Sequence, residues 1–107
     1  MTNNINQKIN DILESDTIVL FMKGSQLMPM CGFSNTAIQI LNNVGAKYQT
    51  INVLENYDIR EGIKSYSNWP TIPQLYVDKE FIGGSDIMLE LYETGQLQEL
   101  IERAVAS

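Results

Sequence analysis

Cys31 is the only cysteine of this chain, and a thiol is the one side chain that serves both as a strong nucleophile and as a soft metal ligand. It is followed by Gly32-Phe33-Ser34 and then by Phe33, Ala37, Ile38, Leu41 and Val44 at three- and four-residue steps, a pattern that stops at Gly45. The sulfur therefore sits at the N-terminal end of a predicted helix. Unpaired backbone N–H groups and the positive end of the helix dipole favour a thiolate there, which makes the thiol reactive or ligating. The plain alternative is a buried, inert cysteine acting as a small hydrophobe, and position alone leaves both readings open.

The rest of the composition narrows the chemistry. There is no histidine, so the usual general acid–base near neutral pH and the commonest nitrogen ligand for metals are both missing. Ser-His-Asp, Cys-His and His-metal sites within the chain are excluded. A single cysteine also excludes an intrachain disulfide and a zinc ribbon. What chemistry there is must involve Cys31 or groups brought by a partner. Met28 and Met30 flank Cys31 with thioethers, for which loop packing is the reading over soft-metal ligation.

A length of 107 residues with 44% hydrophobic content suits one core, and a single domain spanning residues 1–107 is expected. Thirteen acidic against seven basic residues give a net charge of −6, which repels a phosphate backbone, so no nucleic-acid partner is expected. The longest apolar run, Ile18 to Met22, falls far short of the ~20 residues that cross a bilayer. No membrane span is expected. The first residues carry Asp11, Glu14 and Asp16 and lack a basic start followed by an apolar stretch, which is unlike a secretory signal. A cytosolic, reducing location is the expectation that follows.

These residues must be positioned by a small set of elements. Ile5, Ile9, Ile12 and Leu13 predict an amphipathic helix from about Asn3 to Glu14, and the β-branched run Thr17 to Met22 predicts a buried strand. The Cys31 helix then leads to a second strand from Lys47 to Val53, parallel to the first. A shorter helix from Asn56 to Tyr66 ends near Asn68-Trp69-Pro70, because proline disfavours helical geometry before it. Gln74 to Asp78 and Glu80 to Gly83 read as two short strands joined in a tight hairpin at Asp78-Lys79 despite the missing glycine. Helices from Ser85 to Thr94 and from Gln96 to Ala104, divided by Gly95, close the chain. The order βαβ, helix, ββ, helix predicts an α/β sandwich on one small sheet.

Cys31-Gly32-Phe33-Ser34, Trp69-Pro70-Thr71-Ile72-Pro73 and Gly83-Gly84-Ser85-Asp86 together resemble the monothiol glutaredoxin family with its CGFS signature. The likeness runs from Ile18 to Ile101 and includes Phe21-Met22-Lys23-Gly24-Ser25. It implies a thioredoxin fold: α/β, with a small four-stranded mixed sheet flanked by helices on both faces. In dithiol relatives a second cysteine three residues after the first resolves mixed disulfides; here Ser34 stands in that place and cannot.

The resemblance further implies that Cys31 ligates a 2Fe-2S cluster. Such a cluster usually takes four thiolates, and one chain supplies one. Two chains and two glutathione molecules complete the set, giving a cluster-bridged homodimer. On the same resemblance, Lys23 faces the thiolate and the glycine carboxylate of glutathione, and Arg60 is the second carboxylate-binding cation, with Lys64 one turn on extending the basic patch. Thr71-Ile72-Pro73 matches a segment with a cis proline, whose Ile72 backbone pairs with glutathione as a strand would. Gly84, Ser85 and Asp86 match the helix start that receives the γ-glutamyl carboxylate and ammonium.

Each residue also has a plainer reading. Lys23 and Arg60 could be solvated surface cations, with Asp58 or Glu61 pairing Arg60; Ser85 or Asp86 could be an ordinary helix N-cap; Phe33 is read as a packing aromatic, whereas Trp69 shapes the cluster face. Several family members carry a cysteine where this chain has Ser85, so no role of that cysteine carries over.

The implied function is storage, transfer and assembly of iron-sulfur clusters. The alternative is a glutathione-dependent oxidoreductase that removes glutathione from proteins by a monothiol route. A third reading has a BolA-type partner supply one cluster ligand.

Overall fold

The computed structural model describes residues 2–106, so Met1 and Ser107 of the expected domain lie outside the described residues. In chain order the elements are α1 (Thr2–Ser15), β1 (Ile18–Met22), α2 (Gly32–Asn43), β2 (Gln49–Asn52), a single 3-10 turn (Val53–Glu55), α3 (Tyr57–Ser67), β3 (Gln74–Val77), β4 (Glu80–Gly83), α4 (Ser85–Glu93) and α5 (Gln96–Ala106). The four strands form one sheet in the order β2-β1-β3-β4. The β1–β2 pair is parallel, as α2 between them requires, and the other two pairs are antiparallel.

The sheet is covered on both faces, which is why β1 reads as an unbroken apolar run and is buried along its whole length. Alternate β1 residues face opposite ways. Ile18, Leu20 and Met22 pack with α2, α4 and α5, through Ala37, Leu41, Met88 and Leu97. Val19 and Phe21 pack on the other side with α1 and α3, through Ile9, Leu13, Ile59 and Ile63. This is the four-stranded mixed sheet with helices on both faces that the thioredoxin fold demands.

The hairpin expected at Asp78-Lys79 is present, with both residues at positive φ (50° and 71°), the geometry of a two-residue turn whose twist matches its strands. The parallel strand β2 is shorter than expected. Val53 leaves the sheet to open the 3-10 turn, because the Asn52 side chain accepts the Leu54 N–H at 3.0 Å and bends the chain. At the end of α3, Asn68 adopts a left-handed conformation and the Trp69 N–H returns to the Lys64 carbonyl at 3.1 Å. The chain is thereby turned toward Trp69-Pro70 and the site. No helix among the described residues is long and apolar enough to cross a membrane.

Candidate functional site

Cys31 occupies the N-cap position of α2 with an extended backbone (φ −155°, ψ 137°), so its sulfur hangs over the first turn of the helix. The thiol pKa is lowered. The backbone N–H of Ser34 is the main cause; burial opposes it, while the Phe33 N–H, the Lys23 charge and the Ser34 hydroxyl add to the lowering. Ser34 is itself fully buried, and its Oγ accepts the Lys23 N–H at 3.0 Å. The residue in the resolving position has thus become a fixed strut between the end of β1 and the cysteine turn.

The loop between β1 and Cys31 is held in two places. The Met30 N–H donates to the Lys23 carbonyl at 2.9 Å, and Gly24 and Pro29 form an isolated antiparallel bridge. The Gly24 N–H donates to Asn52 Oδ1 at 3.0 Å, tying the loop to the end of β2. Leu27, Met28 and Met30 project from this loop into solvent. The expectation that the two thioethers serve loop packing is not met, since Met28 is 69% and Met30 66% exposed.

Cys31 stands at the edge of a cavity of about 380 Å³. Lys23, Phe33, Lys64, the segment Trp69 to Pro73, and Gly84 to Ile87 line the rest of it. Of the residues singled out in the sequence, Lys23, Cys31, Thr71, Ile72, Pro73, Gly84, Ser85 and Asp86 converge on this one space. The Ile72–Pro73 peptide bond is cis, as the motif implied.

Other expectations need correction. Arg60 does not line the cavity; Lys64, one turn later on α3, does. The Arg60 Nε is buried with no hydrogen-bond partner, and an ion pair on this helix joins Lys64 to Glu61 at 3.2 Å. Neither Ser85 nor Asp86 caps α4. Gly84 holds the N-cap position and makes no side-chain bond, which leaves the first N–H groups of α4 unblocked at the cavity. Phe33 is not packed: it is 63% exposed at the rim, because the buried stripe of α2 runs through Ser34, Ala37, Ile38 and Leu41 and turns Phe33 away. Trp69 leans on Phe81, with ring centroids 6.1 Å apart.

The cause of the lowered thiol pKa can be tested directly. The thiolate is the nucleophile, so the alkylation rate of Cys31 rises with pH and reaches half its plateau at the thiol pKa. Wild-type protein is expected to show a midpoint below that of an ordinary thiol, and Lys23→Gln a midpoint shifted upward. Superimposable profiles would remove the Lys23 charge as a cause.

Comparison with known proteins bears on the same residues. The glutaredoxin family model matches residues 18–82, which is more than half of the chain. An uncharacterised monothiol glutaredoxin, ycf64, of Porphyra purpurea is 62% identical over 99 residues, covering 92% of both chains. Monothiol glutaredoxin-S14 of Arabidopsis thaliana is 50% identical across the whole of this chain, which spans 62% of that protein. Among solved structures, reduced apo GrxS14 of poplar superposes with a TM-score of 0.85 at 48% identity, covering 96% of this chain and 94% of the other. A buckwheat glutaredoxin solved with glutathione has a TM-score of 0.86 at 24% identity, covering 98% and 94%, and shares the fold.

The relatives also overturn the cytosolic location expected above. The Arabidopsis relative is chloroplastic, and monothiol glutaredoxin-5 of Saccharomyces cerevisiae, 50% identical over 99% of this chain and 73% of its own, is mitochondrial. That expectation rested on the acidic, poorly apolar composition of the first residues, which carries no positive information about compartment. With Cys31 at the start of α2, Ser34 in the resolving position and these relatives beside it, the chain belongs to the monothiol glutaredoxins.

Proposed function

We propose that this chain binds glutathione in the cavity beside Cys31 and carries a 2Fe-2S cluster as cargo, held between two copies of the chain by two Cys31 thiolates and two glutathione thiolates. The observation that carries this reading is the convergence, around one partly exposed thiol of lowered pKa, of every group that glutathione needs. Its two carboxylates meet Lys23 and Lys64 and the unblocked N-terminus of α4. Its ammonium meets Asp86, and its extended backbone meets the Ile72 main chain in the manner of an added strand. The unpartnered Nε of Arg60 supports a role for that guanidinium as well, since a buried donor without an acceptor is costly unless an anion completes it.

Stoichiometry supplies the rest of the argument. Cys31 is the only thiol, and no group of three or more cysteine or acidic side chains that could hold a metal occurs among the described residues. A four-thiolate cluster therefore needs a second chain and external thiols. Ligands of that kind exchange readily, which suits storage and delivery to an acceptor protein. Where a BolA-type protein replaces the second copy, it must bring the missing ligand itself.

A second reading is favoured by the accessibility of the lowered thiol. In it, the Cys31 thiolate attacks the glutathione sulfur of a glutathionylated protein, forming a Cys31–glutathione disulfide and releasing the protein thiolate. A second glutathione thiolate then attacks that disulfide, restoring Cys31 and leaving oxidised glutathione. Ser34 takes no part in either thiolate–disulfide exchange.

Anaerobic reconstitution with iron, sulfide and glutathione, followed by the visible spectrum and native mass, separates the two. The carrier reading expects a coloured dimer containing two glutathiones. A colourless monomer that rapidly reduces mixed glutathione disulfides overturns it. Arg60→Ala is expected to weaken glutathione retention by about tenfold, in line with loss of one charge-assisted hydrogen bond. Unchanged retention removes Arg60 from the site.

A further inference from the structure

Gln74, the residue after Pro73, is a fully buried polar side chain that the proposed function does not use. Its Nε2 donates to the carbonyl of Trp69 and to the carbonyl of Thr71, each at 3.1 Å. Its Oε1 accepts the Tyr76 hydroxyl, also at 3.1 Å. Tyr76 is in turn fixed among Phe21, Tyr66 and Phe81, with ring centroids 5.5 to 6.3 Å away. Both amide protons and the carbonyl oxygen of Gln74 are therefore engaged, two of the three partners being backbone groups of the segment that lines the cavity.

The segment has few donors of its own. Pro70 and Pro73 have no N–H, and the Trp69 N–H is already spent on the Lys64 carbonyl and Ser67 Oγ. An amide side chain with two N–H groups in a fixed fork matches two inward carbonyls two residues apart. The consequence for the cavity follows from peptide geometry. Across a trans peptide the C=O of Thr71 and the N–H of Ile72 point in opposite directions, so drawing the Thr71 oxygen inward turns the Ile72 N–H outward. Ile72 lines the cavity and Gln74 does not.

We infer that Gln74 is a positioning residue for glutathione: by clamping the Trp69 and Thr71 carbonyls from the core side, it presents the Ile72 N–H to the ligand. The inference rests on the glutathione reading for its consequence, but the clamp itself is a property of the free protein. It acts through the backbone and touches neither ligand nor Cys31. Tyr76 orients the amide without supplying a donor to the segment.

Trp69 is the sole tryptophan, partly exposed and at the cavity, so its fluorescence reports on the segment. Gln74→Met keeps the volume and removes both donors. Titrating the apo protein with glutathione is expected to show affinity weakened about tenfold or more in Gln74→Met, with the alkylation rate of Cys31 by iodoacetamide unchanged. Tyr76→Phe, which leaves the two donors in place, is expected to lose about threefold or less. Unchanged glutathione affinity in folded Gln74→Met overturns the inference, as does an equal fall in affinity and in Cys31 alkylation, which marks general collapse of the site.

Should Gln74→Met fail to fold, Gln74→Glu keeps the acceptor for Tyr76 and is read in the same way. If wild-type protein shows no response to glutathione, the glutathione reading fails and iodide quenching of Trp69 in the free protein decides the clamp. Stronger quenching in the Gln74 variant than in wild type supports it, and equal quenching overturns it.

Discussion

Cys31→Ser is expected to yield a colourless, monomeric protein after reconstitution with iron, sulfide and glutathione, with its fold intact. The substitution exchanges sulfur for oxygen at an N-cap position where serine is a favoured residue, so α2 has no reason to unwind. Cys31 is partly exposed and contributes to neither apolar cluster, which places the stability change within about 0.5 kcal/mol. The ligand field changes completely. A serine hydroxyl stays protonated near neutral pH and is a hard, poor donor to iron in a sulfide cluster, so under the proposed carrier role each protomer would lose its sole protein ligand and two of four thiolates would vanish. Circular dichroism, native mass and the visible spectrum together check the result. Retained colour would mean that the ligand lies elsewhere, and the thioethers of Met28 and Met30 would be the first place to look. The same variant must also lose all alkylation, since the chain has no other thiol.

How far the sequence disclosed this site depends on whether a residue acts through its type or through its surroundings. Cys31 was legible because a lone thiol at a helix start states its chemistry by identity and position, whereas Lys23 and Asp86, which read by themselves as a solvated cation and a helix N-cap, were singled out by the family motif. Thr71, Ile72 and Gly84 would act through backbone, which no composition or spacing rule reveals; they were singled out only by the family motif, and all three line the cavity. Arg60 and Lys64 lie on one helix, four residues apart, and only the packing of α3 decides that Lys64 reaches the cavity while the Arg60 Nε is buried. Phe33 was read as packing in the core or on the surface, and the fold excludes the core, because a first-turn residue beside the apolar stripe of α2 falls at the rim of the cavity. Gln74 was read simply as the start of a strand. Its amide matters because two carbonyls without backbone donors face it, an arrangement visible only after the Trp69 to Pro73 segment is folded. The fold was more legible than the site, since β1 alternates between two apolar clusters and every helix carries its stripe.

Gly24→Ala is expected to destabilise the protein by about 2–4 kcal/mol and to raise the Cys31 pKa toward that of an ordinary thiol. Gly24 has φ +96°, a conformation that an alanine adopts only under strain. A methyl group there would also lie 2.5 Å from both the Met28 carbonyl oxygen and the Met30 nitrogen. Both are backbone atoms, so no rotamer change relieves the clash. The bridge between Gly24 and Pro29 must open, and with it goes the 2.9 Å bond from the Met30 N–H to the Lys23 carbonyl. That bond fixes the residue immediately before Cys31 to the lysine whose charge helps to lower the thiol pKa. Freed from it, Cys31 samples orientations away from the Ser34 and Phe33 N–H groups, and the thiolate loses the donors that stabilise it. A denaturant midpoint and an alkylation profile against pH measure the two effects on one sample. Loss of stability without a shift in the thiol midpoint would show that α2 alone orients Cys31, and that the loop is needed for the fold but not for the chemistry.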